Sequence, residues 1–257
     1  MDVVKSCFPT YTNQRTGLMP DRVQLRCILM LARFLAAVAA MVVVVAASNI
    51  LVLYPLQAQL GPLNLADLLT WGAFTFPFAF LITDLTNRYD GPRKARLVVL
   101  VGFVVGLGVS FYLSYHPLPW NDGGSPATTQ RIALASAAAF LVGQLMDIAV
   151  FSRLRAAKAW FLPPLVGSLF GSMLDTLIFF SVAFAPAFVG VDALFGLEDG
   201  SLGFPAPWLG LGPEVPLWTS LATGDFLVKF LAALLLLAPY RALMGRLKPL
   251  PPLGVIA

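Results

Sequence analysis

Long apolar stretches separated by short polar segments make up most of this chain. Each stretch reaches the roughly 20 residues that an α-helix needs to cross the hydrocarbon core of a bilayer. The pattern therefore predicts an all-α, polytopic membrane protein whose single transmembrane domain, residues 27–240, is a six-helix bundle. Segments 1–26 and 241–257 are predicted as N-terminal and C-terminal tails. The six predicted spans are 27–53, 65–86, 95–115, 131–151, 163–187 and 217–240.

The composition agrees with this pattern and narrows the class of function. Apolar residues make up 58% of the chain and charged residues 12%, and the mean hydropathy is +0.81. Such a balance lies far from that of a soluble domain. Because few residues lie outside the spans, there is no room for a soluble catalytic domain, and any function must come from helix faces and short loops. We expect a protein that is not an enzyme and whose main solvent is the lipid bilayer.

Lysines and arginines between the spans mark one side of the membrane. They cluster before the first span, between the second and third, between the fourth and fifth, and after the sixth. The other connecting segments, 54–64, 116–130 and 188–216, contain none. By the positive-inside rule both termini are then cytoplasmic, in a plasma membrane or in the inner membrane of a Gram-negative bacterium. We expect no nucleic-acid partner, because these cations lie where they would face anionic lipid.

The outer loop 188–216 is the longest connecting segment and is rich in acidic residues, proline and glycine. This composition argues against a regular helix. It leaves two interpretations, a lid over the bundle or a solvated spacer.

Prolines and an asparagine mark predicted helix ends. Asn64 is suited to cap the second span, with Asp67 at its third helical position. Pro163 and Pro164 can begin the fifth span without losing hydrogen bonds. Pro77 lies inside the second span, where its missing N–H predicts a kink.

Two spans share a pattern of polar residues that is costly inside lipid. Spacings of three and four residues place these polar groups on one face of each helix, flanked by aromatic rings. Carboxylates accept from N–H groups, amides pair with carbonyls and rings stack on flat faces. We therefore predict that the two stripes line a cavity between the helices for a small, planar, purine-like substrate. The stripes are Gly143, Gln144, Asp147 and Phe151 in the fourth span, and Gly171, Ser172, Asp175 and Phe179 in the fifth.

Structural explanations compete with function at several of these positions. An ionisable group at a helix centre costs about 2.5–3.5 kcal/mol, which favours a functional role for Asp147 and Asp175. The spacing of Gly167 and Gly171, in contrast, is typical of close helix packing. Asp225 and Lys229 lie four residues apart in the sixth span and can neutralise each other as an ion pair.

The sequence contains no recognisable catalytic or metal-binding pattern. His116 is the only histidine and lies in a connecting segment, so we expect no catalytic residues, metal ligands or cofactors. An intramembrane aspartyl enzyme is a minor alternative, because two membrane aspartates are present. The Gly-x-Gly-Asp sequence expected of that class is absent.

Three segments resemble the queuosine precursor transporter family, which is also described as vitamin-uptake-like. They are TWGAFTFPFAFLITDLTNRYDG at 70–91, RIALASAAAFLVGQLMDIAVFSRLR at 131–155 and GSLFGSMLDTLIFF at 167–180. The resemblance implies uptake of 7-deazaguanine bases, 7-cyano-7-deazaguanine or 7-aminomethyl-7-deazaguanine, which are salvaged to make the queuosine of transfer RNA. It also implies a six-helix bundle related to the substrate-binding subunits of energy-coupling-factor vitamin importers.

The same resemblance implies a set of substrate-binding residues. The family's patterned positions fall in the second, fourth and fifth spans, and Trp71 lies in the adjoining aromatic run. Arg88 is a departure, because many members carry an acidic residue there, so a coupling role of that acid does not transfer. The implied residues are Trp71, Phe76, Thr83, Asp84, Gln144, Asp147, Ser168, Asp175 and Thr176.

A second interpretation makes the chain the substrate-binding subunit of an ATP-driven energy-coupling-factor importer. Ala32, Ala36 and Ala40 recur every four residues in the first span, which is a spacing that allows a partner helix to dock. The same spacing is common in ordinary close packing. The preferred base, the energy source and homo-oligomerisation stay open at the level of sequence.

Overall fold

The fold is an all-α bundle in which long helices alternate in direction. The structure, a computed structural model, describes residues 21–61, 63–116 and 126–247. Two short antiparallel β-hairpins accompany the helices. The helices are α1 (Asp21–Leu51), α2 (Gly72–Thr75), α3 (Pro77–Asp90), α4 (Pro92–Tyr115), α5 (Gln130–Leu154), α6 (Leu162–Phe184), α7 (Val189–Leu194) and α8 (Leu217–Arg246), and the strands are β1 (Gln59–Leu60), β2 (Leu63–Asn64), β3 (Pro205–Pro207) and β4 (Glu214–Pro216).

Five helices of the described chain, namely α1, α4, α5, α6 and α8, are long and apolar enough to cross a membrane. Their outward faces expose large apolar side chains, such as Leu235, which is 75% exposed. A soluble protein rarely presents such a surface, whereas a bilayer solvates it. The predicted class, an all-α polytopic membrane protein, is confirmed.

The second predicted span is a broken helix rather than a continuous one. The expectation of a helix from residue 65 was wrong, because Asn64 caps only a single 3₁₀ turn, Leu65–Asp67. Helix α2 begins at Gly72, and Pro77 then starts α3, so the kink predicted at this proline is a break between two helices. Together, 72–90 would cover about 28 Å at about 1.5 Å per residue, close to the thickness of a hydrocarbon core.

The outer helices begin and end beyond the predicted domain bounds. Helix α1 already begins at Asp21 and α8 continues to Arg246, so both helices extend past these bounds, while the part of α1 that could cross a membrane begins at Cys27. Residues 1–20 and 248–257 of those tails lie outside the described residues. Helix α6 begins at Leu162, immediately before Pro163 and Pro164, as predicted.

The bundle has two chemically different ends. We call the end that carries Arg88, Arg153 and Arg241 the basic end. The opposite end, where both β-hairpins lie, is the hairpin end. Helices α1, α4 and α6 run toward the hairpin end, and α3, α5 and α8 run toward the basic end.

The outer loop is anchored to the bundle by a buried ion pair. Asp192 lies in α7, a short helix that the proline-rich composition did not predict. Its carboxylate accepts from the Arg131 guanidinium at 2.5 Å, and Arg131 is only 1% exposed. The same guanidinium donates to the carbonyls of Val182 and Ala185 at the end of α6. The pair neutralises Arg131, which lies at the hairpin end, whereas the lysines and arginines of the connecting segments lie at the basic end.

Helices α5 and α6 pack through glycines along the predicted polar stripes. A Cβ atom at Gly143 would lie 2.9 Å from the Gly171 carbonyl oxygen, and one at Gly171 would lie 2.8 Å from the Gly143 carbonyl oxygen. This close approach leaves no space between the middle sections of the two stripes. The cavity predicted there was wrong in position, because the polar side chains instead reach past the contact toward α3 and α8.

Candidate functional site: a cavity above a buried lysine

A cavity of about 330 Å³ opens in the half of the bundle toward the hairpin end. Its volume lies at the lower end of the range typical of small-molecule sites, about 300–1,000 Å³. The hairpin-side ends of α1, α2, α4, α5, α6 and α8 contribute its walls. The size fits a single flat heterocycle better than an extended substrate.

The cavity walls combine aromatic rings with a few hydrogen-bonding groups. Phe179 and Phe180 of α6 line it, with ring centroids 5.1 Å apart in an edge-to-face arrangement. On the opposite side, Asn49 donates to the Val45 carbonyl at 2.9 Å and accepts from the Ser110 hydroxyl. Such a lining offers stacking surfaces and both donors and acceptors to a planar ligand.

The floor of the cavity is an ion network centred on Lys229. Its ammonium lies 2.6 Å from the carboxylate of Asp175 on α6 and 2.6 Å from that of Asp225 on α8. Thr176 donates to Asp225 at 2.8 Å. The ammonium also lies 5.2 Å from the centre of the Phe76 ring, within the range of a cation–π contact.

The predicted role of Asp175 changes with this partner. Its carboxylate already accepts from Lys229, so it is not a free acceptor waiting for a substrate N–H group. The ion pair predicted between Asp225 and Lys229 is confirmed. Both residues also line the cavity, which the purely structural interpretation did not anticipate. The signal that could have revealed them is a lysine inside the otherwise apolar sixth span.

A second buried polar cluster lies between α3, α5 and α6, nearer the basic end. Thr83 donates to the Gln144 side-chain carbonyl at 2.6 Å, and Ser168 donates to the Asp84 carboxylate at 3.3 Å. Asp147 lies beside the same residues, because one of its carboxyl oxygens would be 2.6 Å from a Cβ atom at Gly167, the residue before Ser168. Thr83, Gln144 and Asp147 are fully buried. Its hydrogen bonds connect α3 to α5 and α6. The cluster contains two aspartates and no lysine.

Lys229 separates the cavity from a much smaller pocket on the side of the basic end. That pocket has a volume of only about 20 Å³. Asp84, Ser168 and Ser172 line it, and Lys229 lines both spaces. One side chain thus forms the floor of the larger cavity and the roof of the smaller pocket.

Arg88 lies near the basic-end side of the small pocket and contacts Tyr240, which lines it. Its guanidinium donates to the Tyr240 hydroxyl at 2.5 Å and to the Trp160 carbonyl at 3.1 Å. It also lies 5.7 Å from the centre of the Phe151 ring. The residue at which this chain departs from the family pattern therefore holds α3 against α8 and the α5–α6 connection.

The predicted site residues fall into three locations. Phe76 and Asp175 line the larger cavity, and Thr176 lies buried at its ion network. Asp84 and Ser168 line the small pocket, whereas Thr83, Gln144 and Asp147 line neither space. Trp71 is 48% exposed, contacts the Phe74 ring and also lines neither space.

Comparison with known proteins supplies the biological context of this geometry. A family model described as a putative vitamin uptake transporter matches residues 70–243. A "Probable queuosine precursor transporter" of Haemophilus influenzae is 39% identical over 173 residues, which cover 63% of this chain and 72% of that relative. The "Queuosine precursor transporter" of Escherichia coli is 42% identical over 121 residues, 45% of this chain and 55% of the relative. No solved structure matches the chain significantly.

Proposed function

Because the chain belongs to the putative vitamin uptake transporter family, whose model covers about two thirds of it, we propose that it imports a queuosine precursor. The protein is a transporter and not an enzyme. The proposed substrate is a 7-deazaguanine base, 7-cyano-7-deazaguanine or its aminomethyl analogue. The proposed location is the plasma membrane, with both termini in the cytoplasm and the hairpin end outside.

One observation carries the proposal: the 330 Å³ cavity combines aromatic walls, amide and hydroxyl groups, and a buried ion network in its floor. A guanine-like base presents N–H donors and a carbonyl acceptor on its edges and a flat π-surface on its faces. Because the Phe179 and Phe180 rings stand at 86° to each other, one can stack on a face of the base while the other contacts it edge-on, and Asn49 and Ser110 can bond to its edges. In the proposed topology the cavity is accessible from outside, as the loading state of an importer requires.

The Lys229 network gives the cavity a floor that a substrate can rearrange. A base N–H group that bonds to the Asp175 or Asp225 carboxylate competes with the ammonium for the same oxygen. Because Lys229 is held by two carboxylates, it can shift toward one when the other is engaged. The Lys229 side chain separates the cavity from the small pocket, so its movement could open a passage between them. Alternating access requires such an opening toward the other side of the membrane.

A second candidate function is the substrate-binding subunit of an energy-coupling-factor importer. One observation favours it: Ala32, Ala36 and Ala40 are all exposed on α1, so this small-residue face is available to a partner helix. In that case the lone protein would bind the base without moving it. Uptake by the purified chain in proteoliposomes distinguishes the two functions.

The test of import is uptake of radiolabelled 7-cyano-7-deazaguanine by cells that neither make nor import this base. The native chain should confer uptake, and Asp175→Ala should abolish it, because Lys229 then loses one of its two carboxylates at the cavity floor. Leu177→Ala is the matched control, since Leu177 lies on the same helix and is 56% exposed on the lipid-facing side. Absence of uptake by a native chain that is verified in the membrane would contradict import by this protein alone.

A further inference from the structure

Two buried aspartates of the bundle, Asp84 and Asp147, have no cation in contact with them in the described part of the chain, and Arg88, four residues after Asp84, attracts the Asp84 carboxylate only from a distance. Their exposed fractions are 2% and 0%. Among the described residues, neither takes part in an ion pair. Both carboxyl oxygens of Asp147 and one of Asp84 also lack a hydrogen-bond donor among these residues. An isolated charge in this position would be costly, so a compensating species is required whenever the pair is fully ionised.

The cations around the pair are committed to other acceptors. On α3, Arg88 donates to Tyr240 and to a backbone carbonyl. Immediately after α5, Arg155 donates to Asn87, one turn from Asp84. On α8, Lys229 is held by the carboxylates of Asp175 and Asp225, and Tyr240 accepts from Arg88. The other charged group that α6 presents on this side, Asp175, is itself an acid and cannot neutralise the pair.

A third unpartnered polar group points to a ligand at the same place. The amide nitrogen of Gln144, which is fully buried, has no acceptor among the described residues, while its carbonyl oxygen accepts from Thr83, the neighbour of Asp84. Gln144 also lies on the same helix face as Asp147, three residues away. A buried amide N–H group bonds more strongly to a charged carboxylate than to a neutral carboxyl group. The hydrogen bonding of Gln144 can therefore change when a nearby carboxyl group gains or loses a proton.

The packing around Asp147 favours a proton over a metal ion as that ligand. A Cβ atom at Gly167 of α6 would lie 2.6 Å from one Asp147 carboxyl oxygen and 3.2 Å from the Asp147 carbonyl oxygen. The helix backbone therefore fits directly against the carboxyl group. A sodium ion needs several oxygen ligands around it, whereas a proton needs only the carboxyl oxygen itself.

The small pocket lies between Lys229, in the floor of the cavity, and Asp84. Its lining is mostly apolar, and Ser168 and Ser172 contribute hydroxyl groups to it. Ser168 donates to Asp84 at 3.3 Å. Hydroxyl groups can both donate and accept, which is what a chain of proton transfers requires.

From these observations we propose that Asp84 and Asp147 form a proton-binding site that couples substrate import to the proton gradient, an inference that rests on the proposed transport function. A proton enters from the hairpin side with the substrate and binds one carboxylate of the pair, giving a neutral carboxyl group. When the protein opens toward the basic end, the carboxyl group releases this proton to the cytoplasm. One charge per cycle moves inward with a neutral base.

The experiment uses the purified full chain in proteoliposomes and compares accumulation with exchange of 7-cyano-7-deazaguanine. An imposed inward gradient of about one pH unit should sustain about tenfold accumulation of a neutral base carried with one proton. A protonophore should abolish the accumulation. Asp147→Asn, which is neutral at every pH, should lose accumulation but keep exchange of internal unlabelled for external labelled base. Asp84→Asn should behave in the same way.

Asp90→Asn is the control, because it makes the same chemical change on helix α3, outside the buried pair, and removes only the ion pair of Asp90 with Lys94 at 3.5 Å. It should keep both accumulation and exchange. Gradient-independent accumulation by the native protein, accumulation driven by sodium instead of protons, or proton-driven accumulation by Asp147→Asn would each overturn the proton site. Loss of both accumulation and exchange in folded Asp147→Asn would also overturn it, since that outcome indicates a binding or structural role. Absence of exchange by the native protein would instead contradict the transport function itself.

Discussion

Two carboxylate clusters lie on opposite sides of Lys229, and they differ in whether a cation is present. Toward the hairpin end, Asp175 and Asp225 share the Lys229 ammonium at 2.6 Å each. Toward the basic end, Asp84 and Asp147 share no cation among the described residues. We call the first the closed cluster, because its carboxylates are neutralised by a lysine in the cavity floor. We call the second the open cluster, because its carboxylates need a proton or another compensating species. In the proposed mechanism, the first cluster positions the substrate and the second drives its movement.

The largest expected effect comes from removing the cation of the closed cluster. Lys229→Met keeps most of the side-chain volume but leaves Asp175 and Asp225 buried together without compensation. We expect a loss of about 3–5 kcal/mol in the free energy of unfolding, as when one partner of a buried ion pair is removed. Thermal unfolding of the protein in detergent measures it. Lys158→Met, an exposed lysine in the α5–α6 connection, should change stability by less than about 0.5 kcal/mol.

If Lys229→Met and Lys158→Met unfold at the same temperature, the ion network does not stabilise the bundle and the comparison fails. Restoring neutrality gives a second check. Adding Asp175→Asn and Asp225→Asn to Lys229→Met should recover part of the lost stability, because no uncompensated charge is left. Recovery would separate the electrostatic penalty from a simple loss of packing.

The same substitution should act differently in the two clusters. Asp175→Asn weakens a charged hydrogen bond to Lys229, for which we expect a loss of about 1.5–3 kcal/mol in stability. Asp147→Asn removes no ion pair and should leave stability unchanged or raise it. Unfolding temperatures of the two variants, measured side by side at neutral pH, test the difference. Equal destabilisation would mean that Asp147 has a partner of comparable strength.

The hydrogen bond between Thr83 and Gln144 ties α3 to α5 inside the open cluster. Thr83→Val removes the hydroxyl donor and leaves the Gln144 carbonyl oxygen buried without a partner, so stability should fall by about 1–2 kcal/mol. Thr86→Val is the control on the same helix, because the Thr86 hydroxyl donates only to a carbonyl of its own helix. A control that loses as much stability as Thr83→Val would show that the interhelical bond adds nothing.

The smallest expected change in stability comes from a substitution in the wall of the cavity. Ser110→Ala removes the donor to Asn49 and should lower stability by no more than about 1 kcal/mol. It should weaken the apparent affinity for the base several-fold in an uptake assay, since the amide of Asn49 loses its fixed orientation. Ser114→Ala, a buried serine on the same helix that does not line the cavity, should leave the affinity unchanged.

The long helices could be predicted from the sequence because about 20 consecutive apolar residues have few alternatives to a spanning helix. The broken second span could not. Pro77 predicts a kink, but the preceding hairpin and 3₁₀ turn depend on contacts of the loop with the rest of the bundle, such as the bond of the Trp71 amide to the Tyr54 carbonyl. Hydropathy alone treats those residues as a continuation of the helix.

For the candidate site, too, single residues could be predicted from the local sequence, but contacts between distant residues could not. An aspartate inside an apolar span is visible in the sequence, and Asp175 does lie at the cavity. Its partner Lys229 is 54 residues away on another helix, and only the packing of α6 against α8 brings them together. The pairing of Arg131 with Asp192 was missed for the same reason, since a helix end and a loop residue carry no shared local pattern.

In the proposed mechanism the base binds in the cavity above Lys229 and enters it from the hairpin end. The most direct test introduces Ser136→Cys, a cavity-lining position, into a variant without native cysteines and measures its labelling in intact cells by a membrane-impermeant maleimide. We expect labelling from outside that slows markedly in the presence of 7-cyano-7-deazaguanine. Labelling that proceeds at an unchanged rate, at base concentrations that saturate uptake, would contradict binding in this cavity.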